Sequence, residues 1–327
     1  MKKTKSDTTG SKRRETLENK TGSLFENLWP QYDEVLFKES VELFYKRLAD
    51  WKIPGDFFKN KKCLDAGCGG GRNSIAMASL GASEVQGIDL GDQGLKDAAR
   101  RAKGLGITQA NFQKASVLDI PFEDNYFDCI WFAGVLMITD DPDKALDELT
   151  RVLKPGGSFY LLVYANGGMR WPLIEILRKL AHDIGLSAVE EAIARGNLPA
   201  NKRRTFLDDL FCPALDFYSW ERMEKMLEVR GFEKIRRMPR DKWDHEASLE
   251  EFEKDLASFQ KIFSSGVEYN IAPVNLFRHG KNLCQAVIDT VADTAREEKQ
   301  GLISHEQAME RIAGQGHHRV WAVKGNK

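Results

Sequence analysis

The chain has 327 residues, enough for one large domain or two ordinary ones, and its 30% charged residues balance to a net charge of −1. That balance argues against a chain built throughout to coat nucleic acid, while leaving room for a local basic patch. A hydrophobic share of 42% with seven Trp supports a large core, and no run of about 18 apolar residues exists to form a membrane-spanning helix.

Residues 1–20 are Lys, Arg, Ser, Thr and Glu with almost nothing to bury, which predicts a disordered basic tail. The Lys-rich start has no apolar segment behind it, so it does not read as a secretory signal. Residues 21–61 read as an N-terminal helical flap: apolar residues at 36, 37, 41, 44, 45 and 48 follow a helical period, and Pro54-Gly55 breaks it. The aromatic residues Phe25, Trp29 and Tyr32 serve either as packing on a sheet or as a flap over a ligand.

From Lys62 the pattern alternates strand and helix. Strands are predicted at 62–66, 84–89, 110–114, 127–132 and 158–164, with helices at 72–80, 93–105 and 143–153 between them. Phe127–Phe132 is apolar throughout, as a parallel strand buried on both faces should be. Lys154-Pro155-Gly156-Gly157 stops the third helix. The regular alternation then pauses over 165–218, with helices near 171–184 and 187–195 and a basic run Lys202-Arg203-Arg204. It resumes over 219–239 with a helix, the Gly231 stop and a strand at 233–238. A second pause, 240–316, is charged and helical in period. The segment 317–327 supplies one last strand. Such alternation predicts an α/β, doubly wound parallel sheet that binds its ligand across the carboxyl ends of the strands.

One stretch stands out. Cys63-Leu64-Asp65 ends the first strand, and four glycines follow at 67, 69, 70 and 71, before a helix-like stretch. Strand, glycine turn and helix N-terminus together make a place where backbone approaches a ligand closely. The segment Gly87-Ile88-Asp89-Leu90 ends the second strand, with Asp89 twenty positions past Gly69. Asp119-Ile120-Pro121-Phe122 follows the third. A nicotinamide site of the form Gly-x-Gly-x-x-Gly would need glycine where Arg72 stands, and no phosphate-binding Gly-x-x-x-x-Gly-Lys-Ser/Thr occurs.

These four motifs in order, densely over 62–164 and loosely over 219–238, make the chain resemble a class I S-adenosylmethionine-dependent methyltransferase of the small, UbiE-like type. The resemblance implies a seven-stranded Rossmann-like sheet (the methyltransferase fold) whose last strand returns antiparallel, with largely helical cap insertions at 165–218 and 240–316. It implies S-adenosyl-L-methionine as cofactor. Gly67, Gly69 and Gly71 would lie against its amino-acid end and Asp65 would reach the loop or the ammonium. Asp89 and Leu90 would meet the ribose, Leu118 and Asp119 the adenine, and Ala133 and Gly134 the sulfonium end. Tyr32 would fold over the cofactor, adding cation–π attraction.

The acceptor side is thinner. His245 and Tyr164 are weak candidates for a catalytic residue, and a base is optional for some acceptors. Arg170, Lys202, Arg203 and Arg204 offer charge for an anionic acceptor, or form a solvated basic face. Bulky insertions favour an enclosed small-molecule acceptor over RNA or protein, and a cofactor-binding regulatory protein without transfer activity is the third reading. No metal is expected: the five cysteines form no Cys-x-x-Cys pair, and adjacent His317 and His318 alternate to opposite faces. Reduced thiols of a cytoplasmic protein are the expectation.

Overall fold

The computed structural model describes residues 17–24, 34–239 and 247–326. The chain opens with a helix over 17–24 (α1) and then α2, Glu34–Asp50. There follow β1 Lys62–Ala66, α3 Arg72–Ser79, β2 Glu84–Asp89, α4 Asp92–Gly104, β3 Ala110–Lys114, β4 Phe127–Ala133, α5 Pro142–Val152 and β5 Leu153–Tyr164. Three helices come next: α6 Arg170–Ile184, α7 Leu186–Arg195 and α8 Ala200–Phe211. Then α9 Trp220–Glu228 and β6 Phe232–Arg237 lead to α10 Leu249–Glu268, α11 Val274–Lys299, α12 His305–Ile312 and β7 His317–Lys324.

Two compact units result. One comprises Met1–Tyr164, Pro213–Pro239 and His318–Lys327, and the other Ala165–Cys212 with Arg240–His317.

The first unit is built on a seven-stranded sheet in the order β3-β2-β1-β4-β5-β7-β6. Strands β1 to β5 pair in parallel and β6 pairs antiparallel with β7. This is the doubly wound Rossmann-like sheet the alternation predicted. The order reverses between β1 and β4, which is where such sheets open a crevice for a ligand. Side chains alternate across the sheet with period two. Leu64, Ile130 and Leu161 face one core with Leu149 of α5 and Leu227 of α9. Their neighbours Cys63, Cys129 and Tyr160 face another, under Phe44 of α2 and Trp51. There Trp131 stacks on Tyr160 with ring centroids 3.8 Å apart. All five cysteines are buried, and none is in a disulfide.

Three sequence expectations change here. The tail was expected to run through residue 20, but 17–20 begin α1. Strand β5 starts at Leu153, five residues early. Lys154-Pro155-Gly156-Gly157 is therefore a bulged lead-in as well as a helix stop: Phe127 pairs with Leu153 and Cys129 with Ser158, with the register shifted between. A Cβ on Gly157 would lie 2.6 Å from Leu153 Cδ1. Finally, the first insertion ends at Cys212 rather than 218. Residues 213–218 bind back to the sheet unit, where Asp216 N–H donates to Met137 O (2.8 Å) and Tyr218 N–H to Tyr164 O (3.0 Å).

The second unit is helical. Helices α10 and α11 interlock through glycines that admit phenylalanine rings. A Cβ on Gly266 would lie 2.2 Å from the Phe277 ring, and one on Gly280 would lie 2.2 Å from Phe263. The sequence reading missed α8, which carries the Lys202-Arg203-Arg204 run. The unit's first and last residues clasp each other. Ala165 N–H donates to Gly316 O and Met169 N–H to Ile312 O, both at 2.8 Å. Among the described residues no helix is long and apolar enough to cross a membrane.

Candidate functional site

The glycine turn after β1 is fixed by backbone bonds from β2. Gly67 and Cys68 both donate their N–H to Ile88 O, at 2.8 and 2.9 Å, and Gly71 N–H closes the turn on Cys68 O at 2.9 Å. Gly67, Gly69 and Gly71 all hold positive φ (73°, 51° and 79°), a conformation that penalises a Cβ. Protein packing adds a second reason. A Cβ on Gly67 would lie 2.2 Å from Val135 Cγ2, and one on Gly71 would lie 2.6 Å from Ala98 Cβ. Two of the three glycines are thus demanded by neighbouring side chains, whatever the turn binds.

Two carboxylates frame the turn. Asp65, at 1% exposure, accepts from Ser74 Oγ at 2.6 Å through Oδ2. Its Oδ1 is buried with no hydrogen-bond partner among the described residues. Burial pushes its carboxyl up to about 6, against the opposing pull of the Ser74 hydroxyl and the Arg72 charge. An unsatisfied buried acceptor costs about 1–3 kcal/mol, so this atom is a standing invitation to a donor. Asp89, at the tip of β2, accepts from Gly69 N–H through Oδ2 (2.8 Å) and from Gly91 N–H through Oδ1 (2.9 Å). Burial raises its pKa and these backbone amides oppose the rise. Each oxygen retains acceptor capacity beyond its one amide.

The loop after β3 is clamped from α5, a contribution the sequence reading did not anticipate. Glu148 Oε2 accepts from Ile120 N–H at 2.9 Å, while Arg151 donates to Ile120 O and Phe122 O at 2.9 and 2.8 Å. Arg151 holds the Glu148 carboxyl below its usual range. Within that loop Leu118 is buried, Asp119 is exposed, and Ser116 Oγ accepts from Leu118 N–H at 2.9 Å. Past β4, Ala133 and Gly134 are half-buried, and Gly134 N–H donates to Leu162 O at 3.1 Å.

The backbone therefore brings Asp65, Gly67, Gly69, Gly71, Asp89 and Leu90 onto adjoining turns, with the loops carrying Leu118, Asp119 and Ala133 at the same carboxyl edge of the sheet. Tyr32 and His245 lie outside the described residues. Tyr164 ends β5, half-buried, with its carbonyl taken by Tyr218.

Arg170 corrects an expectation. Its guanidinium is buried in the helical unit and pairs with Asp209 (2.9 Å) and Asp255 (3.2 Å), while Lys202 pairs with Asp255 (2.7 Å). A buried charge requires such partners, so these two cations hold α6, α8 and α10 together and do not await an anionic acceptor. Arg203 is half-buried on α8, and the side chain of Arg204 lies outside the described residues.

The chain is similar to known methyltransferases. The family described as "Methyltransferase domain" matches residues 64–161. A 2-phytyl-1,4-naphtoquinone methyltransferase of Nostoc sp. is 31% identical over 185 residues, 51% of this chain and 78% of that protein. A demethylmenaquinone methyltransferase of Bacillus cytotoxicus is 31% identical over 151 residues, covering 44% of this chain and 62% of that one. An uncharacterized protein of Haemophilus influenzae is 32% identical over 116 residues, 34% of this chain and 46% of its own length. The chain thus spans less than two thirds of the length of two of these three relatives.

Proposed function

The chain belongs to the class I S-adenosylmethionine-dependent methyltransferases, and from that premise we propose that it methylates a small-molecule acceptor on an oxygen, nitrogen or sulfur atom. The observation that carries the reading is the orphaned Asp65 Oδ1 beside an amide-clasped Asp89. S-adenosylmethionine offers what that pair lacks: an ammonium for a buried carboxylate oxygen and two vicinal ribose hydroxyls for a carboxylate with spare lone pairs. The residues present fit the cofactor.

In this reading Asp65 and the turn at 67–71 hold the amino-acid end, Asp89 and Leu90 the ribose, and Leu118 and Asp119 the adenine. Ala133 and Gly134 line the reacting end. When bound, the cofactor supplies a methyl carbon on a positive sulfur that leaves as a neutral thioether. The work left to the protein is alignment and the exclusion of water. Glu148 and Arg151 fix the adenine loop, and the Ile88 carbonyl fixes the glycine turn, so the cradle is set before any ligand enters. Tyr164 is the described side chain best placed in the chain to face an acceptor, since it is the last residue of β5.

Acceptor choice falls, in this proposal, to the helical unit. Its two segments branch off after Tyr164 and Pro239, downstream of β5 and β6. Two relatives are named as methyltransferases of demethylmenaquinone and of 2-phytyl-1,4-naphtoquinone, so naphthoquinols belong in the acceptor panel beside phenols, amines and thiols. Nothing observed favours RNA or protein as substrate: Lys202, part of the basic run that would dock them, is paired with Asp255. The test is calorimetric binding of S-adenosylhomocysteine, followed by an acceptor screen with methyl-labelled S-adenosylmethionine. Failure to bind the homocysteine product would sink the reading. Binding without transfer to any acceptor or to cell extract would turn it into the regulatory one.

A further inference from the structure

The sheet has two edges, and they are finished differently. At β6 the ladder to β7 shifts register between Glu233 and Arg236, Lys234 sits at positive φ (51°), and Glu233, Lys234, Arg236 and Arg237 are exposed. A bulge and a row of charges keep another strand off such an edge. At β3 the pairing with β2 runs unbroken from Val85 with Ala110 to Asp89 with Lys114. Val85 N–H donates to Gln109 O and Ala115 N–H to Asp89 O. A parallel ladder spaces its bonds evenly along the strand, so β2 takes the odd-numbered residues of β3. The N–H and C=O of Ala110, Phe112 and Lys114 therefore face outward. Among the described residues no strand pairs with that side, and the Lys114 side chain is drawn back to Asp92 (2.8 Å).

Beside this edge, between α4 and β3, runs a groove of about 310 Å³. Ala99, Ala102, Ile107 and Phe112 make it apolar, and among its lining residues Lys103 alone is charged. Glu34 engages Arg100 and Arg101 of the same helix. Lys103 is exposed and, among the described residues, makes no ion pair.

We propose that β3 and this groove bind an extended peptide of a partner protein, which adds one more strand to the sheet, lays apolar side chains in the groove and sets an acidic side chain on Lys103. Outward amides and carbonyls supply the main-chain hydrogen bonds that give such complexes their affinity, and a pocket for alternate side chains gives selectivity. The two-residue period of a strand turns every second side chain of the peptide toward α4. Charge decides between occupants. A second copy of this chain would bring its own Lys103 and Lys114 to the same interface, where like charges repel. The Lys- and Arg-rich first residues of the chain carry the same sign as Lys103. An acidic peptide is the complement. The proposal stands apart from the cofactor cradle and does not rest on methyl transfer.

To test it, the full chain is immobilised and panned against a phage-displayed library of random linear peptides. Enriched sequences should combine an acidic residue with apolar residues at alternate positions. A fluorescein-labelled synthetic copy of the leading one then serves as the anisotropy probe. Ala110→Pro removes an outward N–H and leaves the β2 ladder intact. Ala99→Phe fills the groove from an exposed position of α4, and Lys103→Glu reverses the charge. Each should weaken binding several-fold. Exchanging the probe's acid for lysine should restore binding to the Lys103→Glu variant and to no other. Amide hydrogen exchange at Ala110, Phe112 and Lys114 should slow when the probe is added. Lys103→Glu alters an exposed side chain, so its result holds even where another substitution lowers the melting temperature. The proposal is overturned if no peptide is enriched over the bare support, if the probe binds all three variants as it binds wild type, or if the charge exchange restores nothing. Sedimentation showing a wild-type dimer that Ala110→Pro dissolves would give the edge to a second copy instead.

Discussion

The two units treat buried charge in opposite ways. In the helical unit both buried aspartates face cations: Asp209 meets Arg170, and Asp255 meets Arg170 and Lys202. In the sheet unit Asp65 is as deeply buried, yet a serine hydroxyl serves one oxygen and, among the described residues, nothing hydrogen-bonds the other. Folding alone explains the first arrangement, because paired charges join three helices. It does not explain the second, because a core built only for stability would have supplied a partner or replaced the aspartate. In the proposed function, the open Asp65 oxygen is where the ligand's ammonium belongs.

The sharpest way to break that contrast is to unpair the helical unit. Arg170→Met takes from Asp209 its ion-pair partner and from Asp255 one of two, and should cost about 3–5 kcal/mol of stability. Urea denaturation reads this directly, and adding Asp209→Asn should recover part of the loss. A neutral outcome would show that the cluster does not hold the helices.

Next in size is Gly67→Ala. It combines a positive φ with a 2.2 Å approach to Val135 Cγ2, and overpacking of this kind costs about 1–3 kcal/mol. Trimming Val135 to alanine in the same chain should relieve the steric part, visible as a partial return of the melting temperature.

Asp89→Ala should weaken S-adenosylhomocysteine binding by about 1–3 kcal/mol, the cost of leaving polar partners unmatched. Calorimetry showing unaltered affinity would remove the ribose assignment.

The smallest effect is a proton. Burial holds the Asp65 carboxyl up to about 6 from an ordinary 3.8, so the folded apo protein binds this proton more tightly than the unfolded chain does. Its stabilising contribution is full below pH 3.8 and is lost as pH rises through about 6. An ammonium beside the carboxylate reverses the preference. Cofactor binding below about pH 6 should therefore release up to one proton, and affinity should fall as pH drops through that value. Binding enthalpies measured there should differ between buffers of different ionisation heat, and Asp65→Asn should abolish the difference.

How much of this was legible in the sequence follows the distance over which each feature acts. The cradle was readable because it is local: Asp65 to Gly71 is one turn, and Asp89 lies one strand and helix later. The clamp on the loop after β3 was not, since Glu148 stands 28 positions from Ile120. Arg170 looked like an anion site for the same reason. Its partners are 39 and 85 residues away, and only the fold shows that its charge is already matched. Helix α1 was read partly as tail because eight polar-rich residues carry no periodicity strong enough to announce a helix. Its Glu18 meets Ser116, 98 residues on. The bulge at Lys154–Gly157 was half legible: proline and glycines mark a break, but not that a strand begins on its near side.

The packing of Val135 against Gly67 and of Ala98 against Gly71 has a bearing on descent. If the proposed function holds, a copy of this gene released from methyl transfer would still need both glycines, because Cβ atoms there would meet Val135 and Ala98 whatever the turn binds. Its Asp65 would be held by less, the hydrogen bond from Ser74 Oγ. A glycine-rich signature is thus a poor witness to activity in the descendants of such a chain, and the buried acid just ahead of it is the better one.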